Sequence, residues 1–309
     1  MAVVSRSKED SSPRLQRCEF LPATDRGEQG KLLQHLSRQH QLNKLPCISI
    51  VEHDSFHLLL VESPEVNSSE LKAAMRWRVK DLLPFHVDDA VLDVFDIPGQ
   101  QERGRPKQMY VVAAKISTIQ QHIDRLEEND IRLEVIDIPE LALRNISTLL
   151  PESGNGVAML HIRADESVLT ICRDGILYLT RGIKLGHRQL SQQLVSDAGA
   201  NEEEFTIAEV EAPSEGLMHA MDNIVLEVQR SLDYCESHFA LPPISGLVLA
   251  PMEDEIPHLM NYLASNLGVP VRMLDLNAVL ESEQHLDDAV QSRCLLAIGA
   301  ALRHEEKAL

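Results

Sequence analysis

Three groups of side chains in this 309-residue chain have the types and spacing to do chemistry. His53 and His57 lie four apart with Phe56 between them, so on a strand both imidazoles would share one face, as in a metal pair. No third ligand stands within sequence range, and surface or hairpin histidines are the default reading. Cys235 and His238, with Asp233 nearby, have the composition of a thiol site. They fall on a long amphipathic segment whose apolar stripe already claims Cys235, so core packing is the better explanation. No metal ligand and no catalytic residue is assigned. The third group, Lys72, Arg76 and Lys80, recurs at i, i+4 and i+8 beside Trp77. On a helix this is a basic stripe, serving either as a solvated face or as a contact for a partner's acidic segment or for anionic headgroups.

The elements that must position these groups follow from pattern. Ser68-Ser69-Glu70 caps a helix predicted to run to about Leu83, where Pro84 stops it, with Leu71, Met75, Val79 and Leu82 at helical spacing. Before it, Ala2 to Val4 looks like the tail of a strand, a helix centres on Leu32, Leu33 and Leu36, and Ile48 to Val51 and Phe56 to Val61 are strand-like. After it come strands Val91 to Ile97 and Met109 to Ala114, joined by the loop Gly99 to Lys107. A helix from Ser117 to Asn129, a strand Leu133 to Ile136 and a helix from Pro139 to Leu150 follow. Pro151-Glu152-Ser153-Gly154-Asn155-Gly156 is the best boundary, dividing the chain into domains 1–153 and 154–309.

The second half opens with three strands, Val157 to Ile162, Val168 to Cys172 and Ile176 to Thr180, the last two joined by the turn Arg173-Asp174-Gly175. Next come a helix near Arg188 to Ser196, an acidic loop around Asn201 to Glu204, and a long helix with Leu217, Met221, Ile224, Val228, Leu232, Cys235 and Phe239 on one face. Strand Leu247 to Ala250, helix Ile256 to Leu267, strand Val269 to Leu274 and a helix near Gln291 to Arg303 complete a mixed α/β architecture.

The net charge of −19, from 48 acidic against 29 basic residues, argues against nucleic acid as a partner. Five scattered cysteines, none in a CxxC pair, read as reduced thiols of a cytosolic protein. The N-terminus is too polar for a signal peptide, and the longest apolar run, Cys294 to Leu302, is far short of a membrane span. A cytoplasmic location is expected.

Several blocks in the right order resemble the PilM family of type IV pilus assembly proteins, and most closely its MSHA pilus biogenesis branch, MshI. They are Glu70 to Phe85 with Val91 to Pro98; the meander Val157 to Arg181; Leu226 to Tyr234, similar to the family's Glu-x-x-Arg-Ser-Leu-Asp helix; and Ile244 to Ala250 with Leu267 to Val271 and Ala297 to Arg303. The resemblance implies an actin-like ATPase fold, related to the cell-division protein FtsA. Each of its two domains carries a mixed sheet flanked by helices, a small subdomain is inserted at about residues 48–114, and the last helix is placed to pack back on the first domain. It also implies that the first domain grips the cytoplasmic tail of a PilN-like bitopic inner-membrane protein, which would hold this chain on the inner face of the inner membrane, with the pilus motor ATPase as a further partner. Lys72, Arg76, Trp77, Lys80 and Phe85 fall in that gripping subdomain. Ser167, Glu227, Arg230 and Ser231 would line what is left of a nucleotide cleft.

Three departures from the family pattern bear on ATP and magnesium. The family begins with a glycine-containing strand-turn-strand, whereas this chain enters at the following strand, Ala2 to Val4: either that hairpin is lost or the start site is set late. Where the family's first strand of the meander ends Asp-Ile-Gly, this chain has His161-Ile162-Arg163, followed by Asp165 and Glu166; the carboxylate for a magnesium-bound water and the glycine for close phosphate approach are both gone. After Leu247 to Ala250 the expected glycine pair is Ala250-Pro251, and Glu253, Asp254 and Glu255 are expected at the next helix N-terminus. A carboxylate about 4 Å from a phosphate costs about 4 kcal/mol at an effective dielectric of roughly 20. The expectation is a non-catalytic scaffold without a cofactor. The alternative is an ATP-binding switch or ATPase in the same machine; a sugar-kinase-like enzyme would need a catalytic Asp beside a phosphate loop, and neither is recognisable.

Overall fold

The computed structural model describes residues 1–6, 13–100, 106–198 and 213–304. The acidic loop around residues 201–204 and part of the 99–107 loop lie outside them. The chain forms two compact units, Met1–Glu19 with Leu143–Leu302, and Phe20–Ala142 with the chain from Arg303. The division differs from a cut at residue 153: the first residues join the second half, and the crossing falls inside a helix.

At the start, β1 (Ala2–Arg6) and β2 (Pro13–Cys18) pair antiparallel, with Ala2 opposite Cys18 and Arg6 opposite Pro13. β1 is the strand expected over Ala2 to Val4, and β2 adds a partner that the sequence pattern does not signal. The second strand is hard to read because PRLQRC sends only Leu15, 1% exposed, and half-buried Cys18 toward the core.

In the unit beginning at Phe20, α1 (Arg26–His40) starts from Asp25, whose carboxylate accepts from the Glu28 amide at 2.8 Å while Glu28 reaches back to the Thr24 amide at 2.7 Å. These reciprocal bonds satisfy donors that a helix start leaves open. A parallel pair joins β3 (Cys47–Ile50) to the later β7 (Leu133–Asp137). The segment between supplies β4 (Phe56–Glu62), α2 (Ser68–Val79), β5 (Ala90–Asp96) and β6 (Gln108–Lys115). An antiparallel sheet results, ordered β4-β6-β5. Alternation along β5 and β6 turns Leu92, Val94, Met109 and Val111 onto Met75 and Val79 of α2, both fully buried. On the other face Phe56 and Ala114 pack with Ile119 of α3 (Ile116–Glu127) and Ile136 of β7 (Leu133–Asp137).

α2 ends at Val79, short of Leu83. Past Val79 the Leu82 amide donates to the Val79 carbonyl at 2.9 Å, a tighter turn that closes the helix ahead of the pre-proline position. Leu83 and Phe85 then pack on the sheet, whereas Leu82, expected on the apolar stripe, is 56% exposed.

The chain crosses between the units within α4 (Pro139–Ser147): Leu141 joins the cluster around Phe56, and Leu143 and Ile146 join the other core. Then β8 (Val157–Ile162), β9 (Ser167–Arg173) and β10 (Ile176–Ile183) form the meander. Asp174 and Gly175 both take positive φ, 50° and 74°, as a two-residue type I′ hairpin turn requires. α5 (His187–Ala198) and the long α6 (Glu215–Phe239) follow, the latter capped by the Ser214 hydroxyl and burying Leu217, Met221, Ile224, Val228 and Cys235. β11 (Gly246–Leu249), α7 (Leu259–Leu267) and β12 (Val271–Met273) extend the sheet to the order β10-β9-β8-β11-β12. The three meander strands pair antiparallel and the last two join in parallel. Finally come α8 (Leu276–Val279), β13 (Glu281–Ser282) beside β2, and α9 (Asp288–Ala301), which packs on β1 and β2.

After α9, Arg303 donates to the Asp137 carboxylate at 2.9 Å, with Asp137 almost wholly buried and its other oxygen accepting from the Ile138 amide. Arg303→Ala is expected to destabilise the protein by about 3–5 kcal/mol in urea unfolding, because it strands a buried carboxylate. The double change Arg303→Met with Asp137→Asn is expected to cost clearly less.

Candidate functional site

The meander tip comes first, because a phosphate hairpin works only if its backbone donors face a ligand. Here the turn at residues 163–166 is closed on itself, the Arg163 amide donating to the Glu166 carbonyl at 2.9 Å and the Arg163 guanidinium to the Glu166 carboxylate at 3.1 Å. The connection from β10 to α5 lies directly on it. The His187 and Arg188 amides donate to the Arg163 and Ala164 carbonyls at 2.7 and 2.9 Å, and the Arg188 side chain pairs with Asp165. A methyl on Gly186 would stand 2.4 Å from the Asp165 carbonyl carbon and 2.5 Å from the Glu166 nitrogen. Ser167 is buried, and its hydroxyl donates to the Leu185 carbonyl at 2.6 Å instead of pointing at a ligand.

His161, where the resemblance implied an aspartate, has a buried Nδ1 with no hydrogen-bond partner among the described residues. Burial, then the Arg163 charge, pushes it down to about 4. It is a neutral imidazole at physiological pH and supplies none of the negative charge that a magnesium ion favours.

The helix residues assigned to the nucleoside side are also occupied. Glu227 accepts from Arg181 of β10 at 2.9 Å and from Arg230 at 2.8 Å. The hydrogen bond from Arg181, more than that from Arg230, holds the Glu227 carboxyl below its ordinary range against partial burial. Ser231 is buried, its hydroxyl bonded to the Glu227 carbonyl one turn earlier at 2.6 Å. The structure thus brings Glu227 and Arg230 together, adds Arg181, which sequence reading missed, and turns Ser167 and Ser231 to main-chain carbonyls. The only sequence signal for Arg181 was its place at the end of a strand.

A further correction concerns Glu253, Asp254 and Glu255. They do not occupy a helix N-terminus, since α7 starts at Leu259, after Pro257 and a left-handed His258 with φ 66°. Glu253 instead makes a two-pronged pair with Arg293 of α9, at 2.7 and 2.8 Å. Cys235 is core, its thiol pushed up to about 12 chiefly by burial, and His238 stacks on Tyr234 at 4.8 Å. His53 sits in a short helical turn, not on the strand of His57, so the two do not share a strand face.

On the other unit, the basic stripe is not three free cations. Lys72 pairs with Asp93 at 2.9 Å. Arg76 folds inward to donate to the Val87 and Ala90 carbonyls, tying the start of β5 to α2. Left outward are Trp77, 73% exposed, and Lys80, whose ammonium lies 5.2 Å from the Trp77 ring. Phe85 is partly buried, between His57 at 5.8 Å and the Lys115 ammonium at 5.4 Å.

A family model described as "Type IV pilus assembly protein PilM" matches residues 40–305. The chain belongs to the PilM family. Among solved structures, a chain of the "PilM-PilN type IV pilus biogenesis complex" is similar at 17% identity, over 97% of this chain and 94% of that one, with a TM-score of 0.72. The cytoplasmic domain of EpsL, an inner-membrane component of the type II secretion system of Vibrio cholerae, matches at 13% identity over 96% and 87%, TM-score 0.45. A Bacteroides thetaiotaomicron protein with an actin-like ATPase fold matches at 8% over 94% and 89%, also at 0.45. The PilM-family chain has the mixed α/β, actin-like fold expected from its sequence.

Two outcomes follow for the hairpin. Gly186→Ala is expected to cost about 3 kcal/mol, the upper end of overpacking penalties, because the obstructing atoms are backbone and cannot rotate away; denaturant titration measures it. Glu227 has a depressed folded pKa, so its stabilisation is present above the unfolded carboxylate range and is lost as pH falls through the folded value. Glu227→Gln is therefore expected to flatten the acid limb of the stability profile below about pH 4.3 and to leave its shape at neutral pH unchanged.

Proposed function

We propose that this PilM-family chain is a non-catalytic cytoplasmic scaffold in the assembly platform of an MSHA-like type IV pilus. It docks on the tail of a PilN-like bitopic inner-membrane protein, lies peripherally on the inner face of that membrane, and passes on movement of the assembly motor ATPase. The observation that carries the reading is similarity along nearly the whole chain to a chain of a PilM-PilN complex. No helix among the described residues is long and apolar enough to cross a membrane, which accords with recruitment through a membrane-spanning partner.

The absence of catalysis is supported by the occupied phosphate hairpin. Its Ser167 hydroxyl, its turn amide and its flanking carboxylates already have protein partners, and His161 stands where a carboxylate is wanted. The second reading, an ATP-dependent switch in the same machine, is opposed by the sequence between β1 and β2, Ser7-Lys8-Glu9-Asp10-Ser11-Ser12, which contains no glycine for close phosphate approach.

Calorimetry against a peptide of a PilN-like tail is expected to show binding. Trp77→Ala and Lys80→Glu are each expected to weaken it about tenfold or more, as exposed aromatic anchors and their paired cations do. Arg76→Ala should act through stability instead, since it removes two main-chain bonds. No binding by a folded protein would overturn the scaffold reading, and unchanged affinity in the Trp77 and Lys80 variants would move the surface elsewhere. Thermal unfolding is expected to be unaffected by magnesium-ATP; a rise of several degrees would favour the switch.

A further inference from the structure

Two of the five cysteines meet although 275 residues separate them in the chain. Cys18 closes β2 and Cys294 lies in the middle of α9, which packs across β1 and β2. Cys294 is buried among Leu295, Ile298 and Leu302, and half-buried Cys18 packs against that cluster. Their thiols are hydrogen-bonded to each other. The remaining cysteines are placed differently. The Cys47 thiol donates to the Leu42 and Leu45 carbonyls, and Cys172 and Cys235 are sealed in the core beneath the meander and α6. Only at Cys18 and Cys294 does a partly accessible thiol touch a second one.

We propose that Cys18 and Cys294 are an oxidation-sensitive dithiol, whose disulfide staples the N-terminal hairpin to the last helix. The hydrogen bond between them favours loss of the first proton, since the remaining S–H donates to the thiolate. It lowers Cys294 to about 7, while Cys18 is held well above the ordinary thiol range by the same bond. The pair is thus primed as a unit at neutral pH, whichever sulfur carries the proton. Cys172 and Cys235, raised by burial to about 11 and about 12, stay protonated and inert.

With hydrogen peroxide as the oxidant, the thiolate sulfur attacks one peroxide oxygen and the O–O bond breaks. The departing hydroxide takes a proton and leaves as water, and the attacking sulfur, now bonded to the transferred oxygen, is a sulfenic acid. The second sulfur, deprotonated, then attacks the sulfenyl sulfur, the S–O bond breaks, and a second water leaves. Two thiols have given up two electrons and two protons, and peroxide has become two waters.

The test treats the full chain with hydrogen peroxide at neutral pH, blocks remaining thiols, and maps disulfides by mass spectrometry without reduction. The expected result is one Cys18–Cys294 linkage, loss of two titratable thiols, and their return with dithiothreitol. Oxidation of the pair should be about tenfold or more faster than that of Cys47, following thiolate availability. Cys18→Ser, at the less buried position, is expected to fold and to lose the linkage, and Cys47→Ser to retain it. Oxidised wild type should melt higher than reduced, with no such difference in Cys18→Ser. Free thiols at both positions after Cys47 has reacted, or an equal two-thiol loss in Cys18→Ser, would overturn the proposal.

Discussion

The contact on which the second-half unit turns is that of Gly186 against the tip of the β8–β9 hairpin. Backbone meets backbone there, with no room for a single methyl group. The approach lets the His187 and Arg188 amides reach the Arg163 and Ala164 carbonyls, and it sets α5 on its course from the end of β10. A hairpin built to hold phosphate must leave its amides facing a ligand; this one is covered by its own chain. The same closure explains why Ser167 is turned to the Leu185 carbonyl, and it fits the arginine-bound state of Glu227 on the neighbouring helix.

Retained polar residues can therefore mislead when they are read only as remnants of a ligand site. Glu227, Arg230 and Ser231 keep a family pattern, yet each has an occupation that needs no nucleotide: an ion-paired cluster with Arg181, and a hydroxyl satisfied within its own helix. Such clusters hold a strand to a helix at a partly exposed edge, where ion pairs contribute modestly and geometry matters more than energy. The basic stripe on α2 follows the same logic. Helical spacing placed Lys72, Arg76 and Lys80 in a row, but Asp93 and two strand carbonyls claim the first two. The outward surface is reduced to Trp77 and Lys80, an aromatic with a cation over its face.

Membership of the PilM family and the structural details are mutually consistent. The three-stranded sheet with α2 is a compact module between β3 and α3 with its own core around Met75, Val79 and Met109. Only the face turned to α2 has a core of its own; the opposite face, through Phe56 and Ala114, is shared with α3 and β7, so the module is anchored to its unit while the outer surface of α2 is free to vary.

The sequence by itself determined the strands of the meander, a tight turn ending at Asp174 and Gly175, the long helix with its buried stripe, and the mixed α/β class, while the structure places Arg173 in the strand and shortens the turn to two residues. Those depend on periodicity and turn chemistry, which act over a few residues. It missed β2, whose polar run buries little beyond Leu15, and it overran α2, which closes in a tighter turn after Val79 although helical spacing continues to Leu82. Only the tertiary structure decided the partners of the polar groups: Ser167 with Leu185, Arg76 with Val87 and Ala90, Glu253 with Arg293, Asp137 with Arg303, and Cys18 with Cys294. Most of those partners lie far along the chain, so the path of the backbone selects them. A donor's chemistry is written in its residue type, but whether it remains available to a ligand depends on which carbonyl or carboxylate the fold brings within 3 Å or so of it.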